Sequence, residues 1–283
     1  MRSESAAASR DAAEKEYLAT NRSSWDEWVA LHFDSDYYDV AGFKAGNCTL
    51  KSVEVEELGD ISGKSLLHLQ CHFGLDSLSL ARRGARVTGV DFSDKAISTA
   101  RRLDDEEDLG ARFVCSNIYE LPRHLDDRFD IVFTSYGVLC WLPDLPRWAA
   151  VIAHFLKPGG FFYMVEHHVL MNIFDDEDSV TDLRVTDPYF HGREPARYFD
   201  TGTYASEGDQ TTYESYEWSH SMADIVNSLV SAGLRIEFLN EFPFIAWKAF
   251  PFLEQDREGW WRMPASKPEL PLMFSIRASR PER

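Results

Sequence analysis

Residues 66–76 read LLHLQCHFGLD. The apolar run SLLHL leads into a loop with one glycine, Gly74, and then into LDSLSLARRG, whose apolar residues recur at helical spacing. Strand, glycine turn and helix in that order open a nucleotide-binding unit, because the turn delivers backbone N–H groups to a ligand at the helix N-terminus. The loop is poor in glycine for that task. Gln70 and His72 stand where small residues are usual. The segments that follow decide between a cofactor loop with unusual side chains and an ordinary buried strand.

RVTGVDF reads as a second strand ending in Asp91, and Ser93 as the N-cap of a helix running to about Leu103. RFVCSN is a third strand, ending at Asn117, and FDIVFTSY a fourth, ending at Ser135 and Tyr136. PRWAAVIAHFL is an amphipathic helix closed by the turn KPGG, and GFFYMVEHH is a fifth strand. Met222–Ala232 forms another helix, stopped at Gly233; the strands RIEFLNEF and LPLMFSIRA follow. This alternation predicts an α/β fold with a Rossmann-like doubly wound sheet, mostly parallel, whose final pair supplies an antiparallel edge strand. In such a sheet ligands bind beyond the carboxyl ends of the strands, where the strand order reverses. Four successive strands deliver hydrogen-bonding groups to that edge. Asp91 follows the loop by about 20 residues, the spacing at which a carboxylate grips ribose hydroxyls.

These residues resemble a class I S-adenosylmethionine-dependent methyltransferase. HLQCHFG stands where that family commonly has a D-L-G-C-G-T-G type loop, VTGVDFS matches the strand with the acidic ribose-binding residue, and CSNIYELP matches the segment at the adenine. FDIVFTSYGVLCWLPDL and LKPGG match the fourth strand and the turn before the fifth. The resemblance covers about Ser65–Glu166 and implies S-adenosyl-L-methionine as cofactor and S-adenosyl-L-homocysteine as product. Carried over, Gly74 and the backbone of Leu69, Gln70, Cys71 and His72 border the methionine part, with His68 a further cofactor-binding candidate, and Asp91 binds the ribose. Phe92 packs on adenine, and Asn117 and the Ile118 amide read its edge; Ser135 and Tyr136, at the end of the fourth strand, are further cofactor-binding candidates. His68 replaces an acidic residue of the family pattern, and Gln70 and His72 replace glycines.

Bulk properties narrow the partners. The 283 residues divide into an N-terminal helical cap (1–50), a cofactor-binding core (51–169), a lid insertion (170–217) and a completion of the core (218–283) with a second lid insertion (243–270). Lys+Arg 29 against Asp+Glu 47 gives a net charge of −18, which repels phosphate backbones and anionic membranes. Cys48, Cys71, Cys115 and Cys140 show no C-x-x-C spacing, so a reducing cytoplasm is expected rather than a zinc ribbon or a secreted disulfide framework. No apolar run is long enough to span a bilayer, and the N-terminal stretch lacks the apolar middle of a signal peptide. The expected partner is a small-molecule acceptor, with no nucleic acid and no membrane, for a monomer or homodimer.

Both insertions are rich in aromatic residues, which predicts packed lids that exclude water. A base is required only where the nucleophile must lose a proton. The candidates are His167 and His168 at the end of the fifth strand, Tyr136 at the end of the fourth, His220 before the helix opened by Ser221, and His191 in the first insertion. Desolvation between the lids is expected to keep His167 or His168 neutral, and Trp260 and Trp261 are expected over the same edge. The run 175–178, DDED, reads as a solvated loop and no metal site is expected. His32-Phe33-Asp34 carries two ligand types of an iron facial triad but falls outside the strand-end cluster, so it is read as coincidence. The function expected is methyl transfer to an oxygen or nitrogen of a small, partly apolar molecule. Methylation of RNA or protein, and a non-catalytic cofactor-binding protein of the same fold, are the alternatives.

Overall fold

The computed structural model describes residues 2–177, 179–190, 192, 194–206 and 209–282. Its centre is a seven-stranded sheet in the order β3-β2-β1-β4-β5-β12-β8. The strands are β1 (Ser65–Leu69), β2 (Arg86–Asp91), β3 (Arg112–Cys115), β4 (Phe129–Thr134), β5 (Leu156–His167), β8 (Arg235–Phe242) and β12 (Met273–Ser279). β1 pairs parallel with both β2 and β4, so the order reverses between β1 and β4, beside the loop that opens the sequence reading. The final pair forms the antiparallel margin: β12 runs against β5 on one side and against β8, the outermost strand, on the other.

The period-two pattern of β1 assigns its side chains to opposite layers. Leu67 and Leu69 enter a core with α6 (Leu145–Phe155) and α7 (Met222–Ser231), among them Trp148, Ile152, Phe155 and Ile225. Leu66 joins the other layer with Leu80 of α4 (Leu75–Arg82), Val53 of α3 (Ser52–Leu58), Phe133 and Tyr163. α5 (Asp94–Glu107) packs Ile97, Ala100 and Leu103 on Phe113, together with Val29 of α1 (Arg2–Phe33) and Phe43 of α2 (Val40–Lys44). Gly74 needs to be glycine. Its φ is +85°, and a Cβ there would lie 2.8 Å from Phe113. The predicted caps form: Ser93 accepts from the Ala96 amide, and Ser221 closes a capping box with Asp224.

The KPGG stretch is not a turn separate from the fifth strand. β5 begins at Leu156, and an irregular register at Phe129/Ile131 absorbs the two glycines. Gly160 lies where a Cβ would meet the Asp130 carbonyl oxygen at 2.8 Å, so the chains approach too closely for a side chain.

The insertions fold as two small units. The first contains the antiparallel hairpin of β6 (Ala196–Thr201) and β7 (Thr212–Glu217). The hairpin is fastened to α1 by side chains acting as an extra strand edge: Asn21 donates to the Tyr216 carbonyl (2.7 Å) and accepts from the Tyr216 amide (2.8 Å), and Ser24 donates to the Glu214 carbonyl (2.8 Å). The second holds β9 (Phe244–Ile245), β10 (Glu254–Gln255) and β11 (Trp261–Arg262), with its own core of Met171, Ile245, Phe250, Leu253 and Leu272. Among the described residues no helix is long and apolar enough to cross a membrane.

At the amino ends of the sheet, Asp130 accepts from the Ser65 amide (2.8 Å), the Ser65 hydroxyl (2.7 Å) and Lys157 (3.0 Å), joining β1, β4 and β5. Burial works against its charge, but these donors outweigh it and hold the carboxyl down at about 2. Replacing Asp130 with Ala should cost about 2 kcal/mol in chemical denaturation at neutral pH. Because the folded pKa is depressed, that contribution is present above the ordinary carboxylate range and disappears as pH falls through about 2.

Candidate functional site

The loop after β1 holds two non-glycine residues in the left-handed region, Gln70 at φ 57° and His72 at φ 51°. That conformation costs an ordinary L-residue roughly 1–2 kcal/mol. The Gln70 amide group donates to the Val138 carbonyl (3.0 Å), while its Oε1 is buried and unpaired. The His72 amide donates to one oxygen of Asp91 and the Ser93 amide to the other, each at 2.9 Å. Burial pushes the Asp91 carboxyl up to about 6, and the three backbone donors around it pull the other way.

The flanking stations divide between lining and support. Phe92 and Asn117 line a cavity of about 300 Å3 with Cys115 and Ser116, roofed by Lys15, Leu18, Ala19 and Arg22 of α1. The Asn117 side-chain Oδ1 accepts from the Tyr119 amide at 2.9 Å, which orients its NH2 group away from that turn. Ile118 is a core residue. Leu69 and Cys71 are buried as well, so only their backbones can border a ligand.

His68 faces inward. Its Nδ1 lies 2.8 Å from Ser77 Oγ on α4, its ring packs edge-on against Phe133, and burial lowers it to about 3. Alternation along β1 puts it on the α4 layer, so its imidazole is a neutral support for the loop rather than a lining group.

Beyond β4, Ser135 donates to Asp76, which also accepts from Thr49 at 2.5 Å. Burial raises Asp76 and takes Glu54 to about 7. The Tyr136 hydroxyl donates to Glu54 at 2.9 Å; burial and that carboxylate keep the phenol well above its usual pKa.

The predicted histidine bases are engaged. Glu166, buried at the end of β5, accepts from the Gly137 (2.5 Å), Val138 (2.8 Å) and Leu139 (3.3 Å) amides and lies 2.9 Å from His167 Nδ1. Burial works against the charge on His167, but Glu166 outweighs it and the imidazole is raised, opposite to the desolvation-driven lowering expected from sequence. His168 is lowered by burial; its Nε2 meets Glu241 at 2.9 Å and its Nδ1 accepts from the Leu170 amide. The His220 Nε2 lies 2.9 Å from the Leu142 carbonyl. His191 falls outside the described residues. From the second insertion Trp247, not Trp260 or Trp261, reaches this region, 6.0 Å from His167 and 6.1 Å from Tyr136. Trp260 is buried against Phe244 and Trp261 packs on the insertion's own core.

α1 supplies the residues the strand-based reading missed. It crosses the carboxyl edge and sets His32 Nδ1 3.0 Å from His72 Nε2. Trp25 and Trp28 stand beside this pair with Trp141. His32 therefore belongs to the strand-end cluster, contrary to the expectation from its distance in sequence. Its only sequence signal is the Trp25, Trp28, His32 spacing of three and four, which puts the three rings on one helix face.

Residues 67–164 match the family model described as methyltransferase domain. A ubiquinone biosynthesis O-methyltransferase of Coxiella burnetii is 36% identical over 106 residues, which is 38% of this chain and 44% of that protein. The chain thus matches less than half the length of this curated relative. A putative S-adenosylmethionine-dependent methyltransferase from Listeria monocytogenes superposes with a TM-score of 0.55 at 17% identity, covering 86% of this chain and 99% of that one. A second, from Clostridium acetobutylicum, gives 0.54 at 16%, with 88% and 93% covered. Similarity at that identity establishes the fold.

Replacing Glu166 with Gln should cost about 2–3 kcal/mol in chemical denaturation, because four backbone donors, the amides of Gly137, Val138, Leu139 and His167, and an imidazole lose their carboxylate. The raised His167 contributes stability below the ordinary histidine pKa, lost as pH rises through its folded value. The lowered Glu166 contributes above the ordinary carboxylate pKa, lost as pH falls through its folded value. The gap between native protein and variant should therefore be widest between these limits and narrow towards alkaline pH.

Proposed function

From the premise that the chain carries a methyltransferase domain of the class I S-adenosylmethionine-dependent family, we propose that it transfers a methyl group from S-adenosyl-L-methionine to an oxygen or nitrogen of a small, partly apolar molecule. The observation that carries this reading is the Asp91 carboxylate at the end of β2, held between the cofactor-type loop and the start of α5, beside the cavity lined by Phe92, Ser116 and Asn117.

The residues present fit the cofactor. Gln70 Oε1, buried and without a donor, suits the ammonium of the methionine moiety. Asp91 suits two ribose hydroxyls, Phe92 the face of the adenine, and the Asn117 NH2 group its edge. When bound, S-adenosylmethionine supplies a methyl group made electrophilic by its sulfonium. The chain's own task is alignment and exclusion of water, which contribute much of the rate in a displacement of this kind. α1 and the β6–β7 hairpin cover the loop, and Trp247 and Tyr136 border the far side. His167, ion-paired with Glu166, holds the turn at 137–139 against the loop through Val138, the partner of Gln70. It acts as a positioning residue in this reading.

Calorimetric titration with S-adenosylmethionine tests the assignment. Asp91→Ala should weaken binding about 10–150-fold, the loss of charge-assisted bonds worth roughly 1.5–3 kcal/mol. Unchanged affinity in a folded variant would overturn the role of Asp91. Since the ionised carboxylate is the better acceptor, native affinity should fall as pH drops through about 6, and Asp91→Asn should flatten that dependence. Gln70→Gly should weaken binding; an affinity gain above about tenfold would mark the native loop as impaired and favour a non-catalytic protein of this fold.

A further inference from the structure

We propose that the amino-terminal part of α1 and the β6–β7 hairpin move as one lid over the adenine cavity, latched to the core by Glu14–Arg147, Arg22–Asp94 and Asp26–Ser93. The inference rests on the methyltransferase reading for what the lid admits and releases, but not for its movement.

Lys15, Leu18, Ala19 and Arg22 face Phe92 and Asn117 across the cavity of about 300 Å3, so a ring seated on Phe92 lies beneath α1. The contacts of this part of α1 divide by type. Towards the hairpin they are neutral and buried. Asn21 holds the Tyr216 amide and carbonyl, Ser24 holds the Glu214 carbonyl, and the Tyr17 ring lies 4.4 Å from that of Tyr216. Parting these elements would strand buried polar groups. Towards the core the contacts are ionic and wet. Arg147 meets Glu14 at 2.9 Å and Arg22 meets Asp94, with each of the four side chains more than a quarter exposed. Pairs of that kind contribute little and are screened by salt. Asp26 adds the bonds it accepts from the Ser93 hydroxyl (2.5 Å) and the Lys95 amide (3.3 Å). The hairpin therefore travels with α1, and the latch is what yields.

The latch has open space on both sides. The adenine cavity lies on one. On the other a groove of about 550 Å3 runs between Asp26, Ala30 and Phe33 of α1 and Lys95, Thr99 and Arg102 of α5. Little apolar surface is buried where α1 crosses the start of α5, so little opposes release there. The apolar anchor of α1 is at its carboxyl end, where Val29 packs with Phe43, Ala96 and Ile97, and that end is the pivot. Entry and exit of a ligand beneath α1 then depend on the same latch, and weakening it speeds both.

Cys115 lines the cavity beneath α1, whereas Cys48 is exposed and Cys71 buried. Alkylation by iodoacetamide without cofactor, mapped by mass spectrometry, therefore reads the opening directly. In the native protein Cys115 should react more slowly than Cys48 at low salt, and about threefold faster in 1 M sodium chloride. Glu14→Arg, which sets like charges together well away from the cavity, should speed Cys115 about fivefold at low salt and leave Cys48 and Cys71 unchanged. Adding Arg147→Glu should return the rate to within about twofold of native. A Cys115 rate that ignores both salt and Glu14→Arg, that rises only together with Cys71, or that Arg147→Glu does not restore would overturn the lid. The salt dependence of the native protein decides the matter if Glu14→Arg does not fold. In stopped flow, Glu14→Arg should raise the association and dissociation rates of S-adenosylmethionine together; faster dissociation alone would mark a weakened pocket and count against the lid. Native protein whose Cys115 responds to salt but gains no protection from S-adenosylmethionine, and does not bind it, would refute the methyltransferase reading and leave the lid standing.

Discussion

The Asp91 carboxylate is the joint between the three elements that make the site. One oxygen holds the His72 amide of the loop and the other holds the Ser93 amide at the start of α5, at the last position of β2. Ser93 in turn donates to Asp26 at 2.5 Å and so brings α1 to the same point. Neutralising or removing this carboxylate would leave the loop conformation without its anchor, since Gln70 and His72 have no intrinsic preference for the left-handed backbone they adopt. A buried carboxylate with its pKa raised by desolvation is kept charged by fixed donors.

A second carboxylate organises the opposite wall. Glu166 gathers the amides of 137–139 and pairs with His167, and Val138 from that turn receives Gln70. The loop is thus gripped from β2 by Asp91 and from β5 by Glu166 through one intermediate residue. Ordinary glycine-rich loops reach such close approach with small residues. Here two larger side chains occupy the space and are fixed by one polar atom each, leaving another buried and unmet.

The sheet and the strand-end stations were legible because period-two apolar runs and turn residues announce them locally: Asp91 after VTGV, Asn117 after RFVCS and the caps at Ser93 and Ser221 all occur where the pattern puts them. What was not legible depends on tertiary contact. His68 looked like a loop residue, but its parity on β1 turns it to Ser77. His167 looked like a free base because nothing in the sequence says that Glu166 folds back beside it. His32 lies 40 positions from His72, and only the course of α1 over the sheet edge brings them together. The aromatic insertions were expected as lids; the second spends most of its rings on its own core and sends Trp247 alone towards Tyr136 and His167.

Amide hydrogen exchange of the native protein with and without S-adenosylmethionine reads the cofactor site segment by segment, because the residues proposed to hold the cofactor fall in separate peptides. Cofactor held by these residues should slow exchange at 70–74, 91–93 and 115–118, and in the part of α1 that roofs the cavity, with β8 unchanged. Exchange that is unaltered at saturating cofactor, or protected only away from those segments, would contradict it.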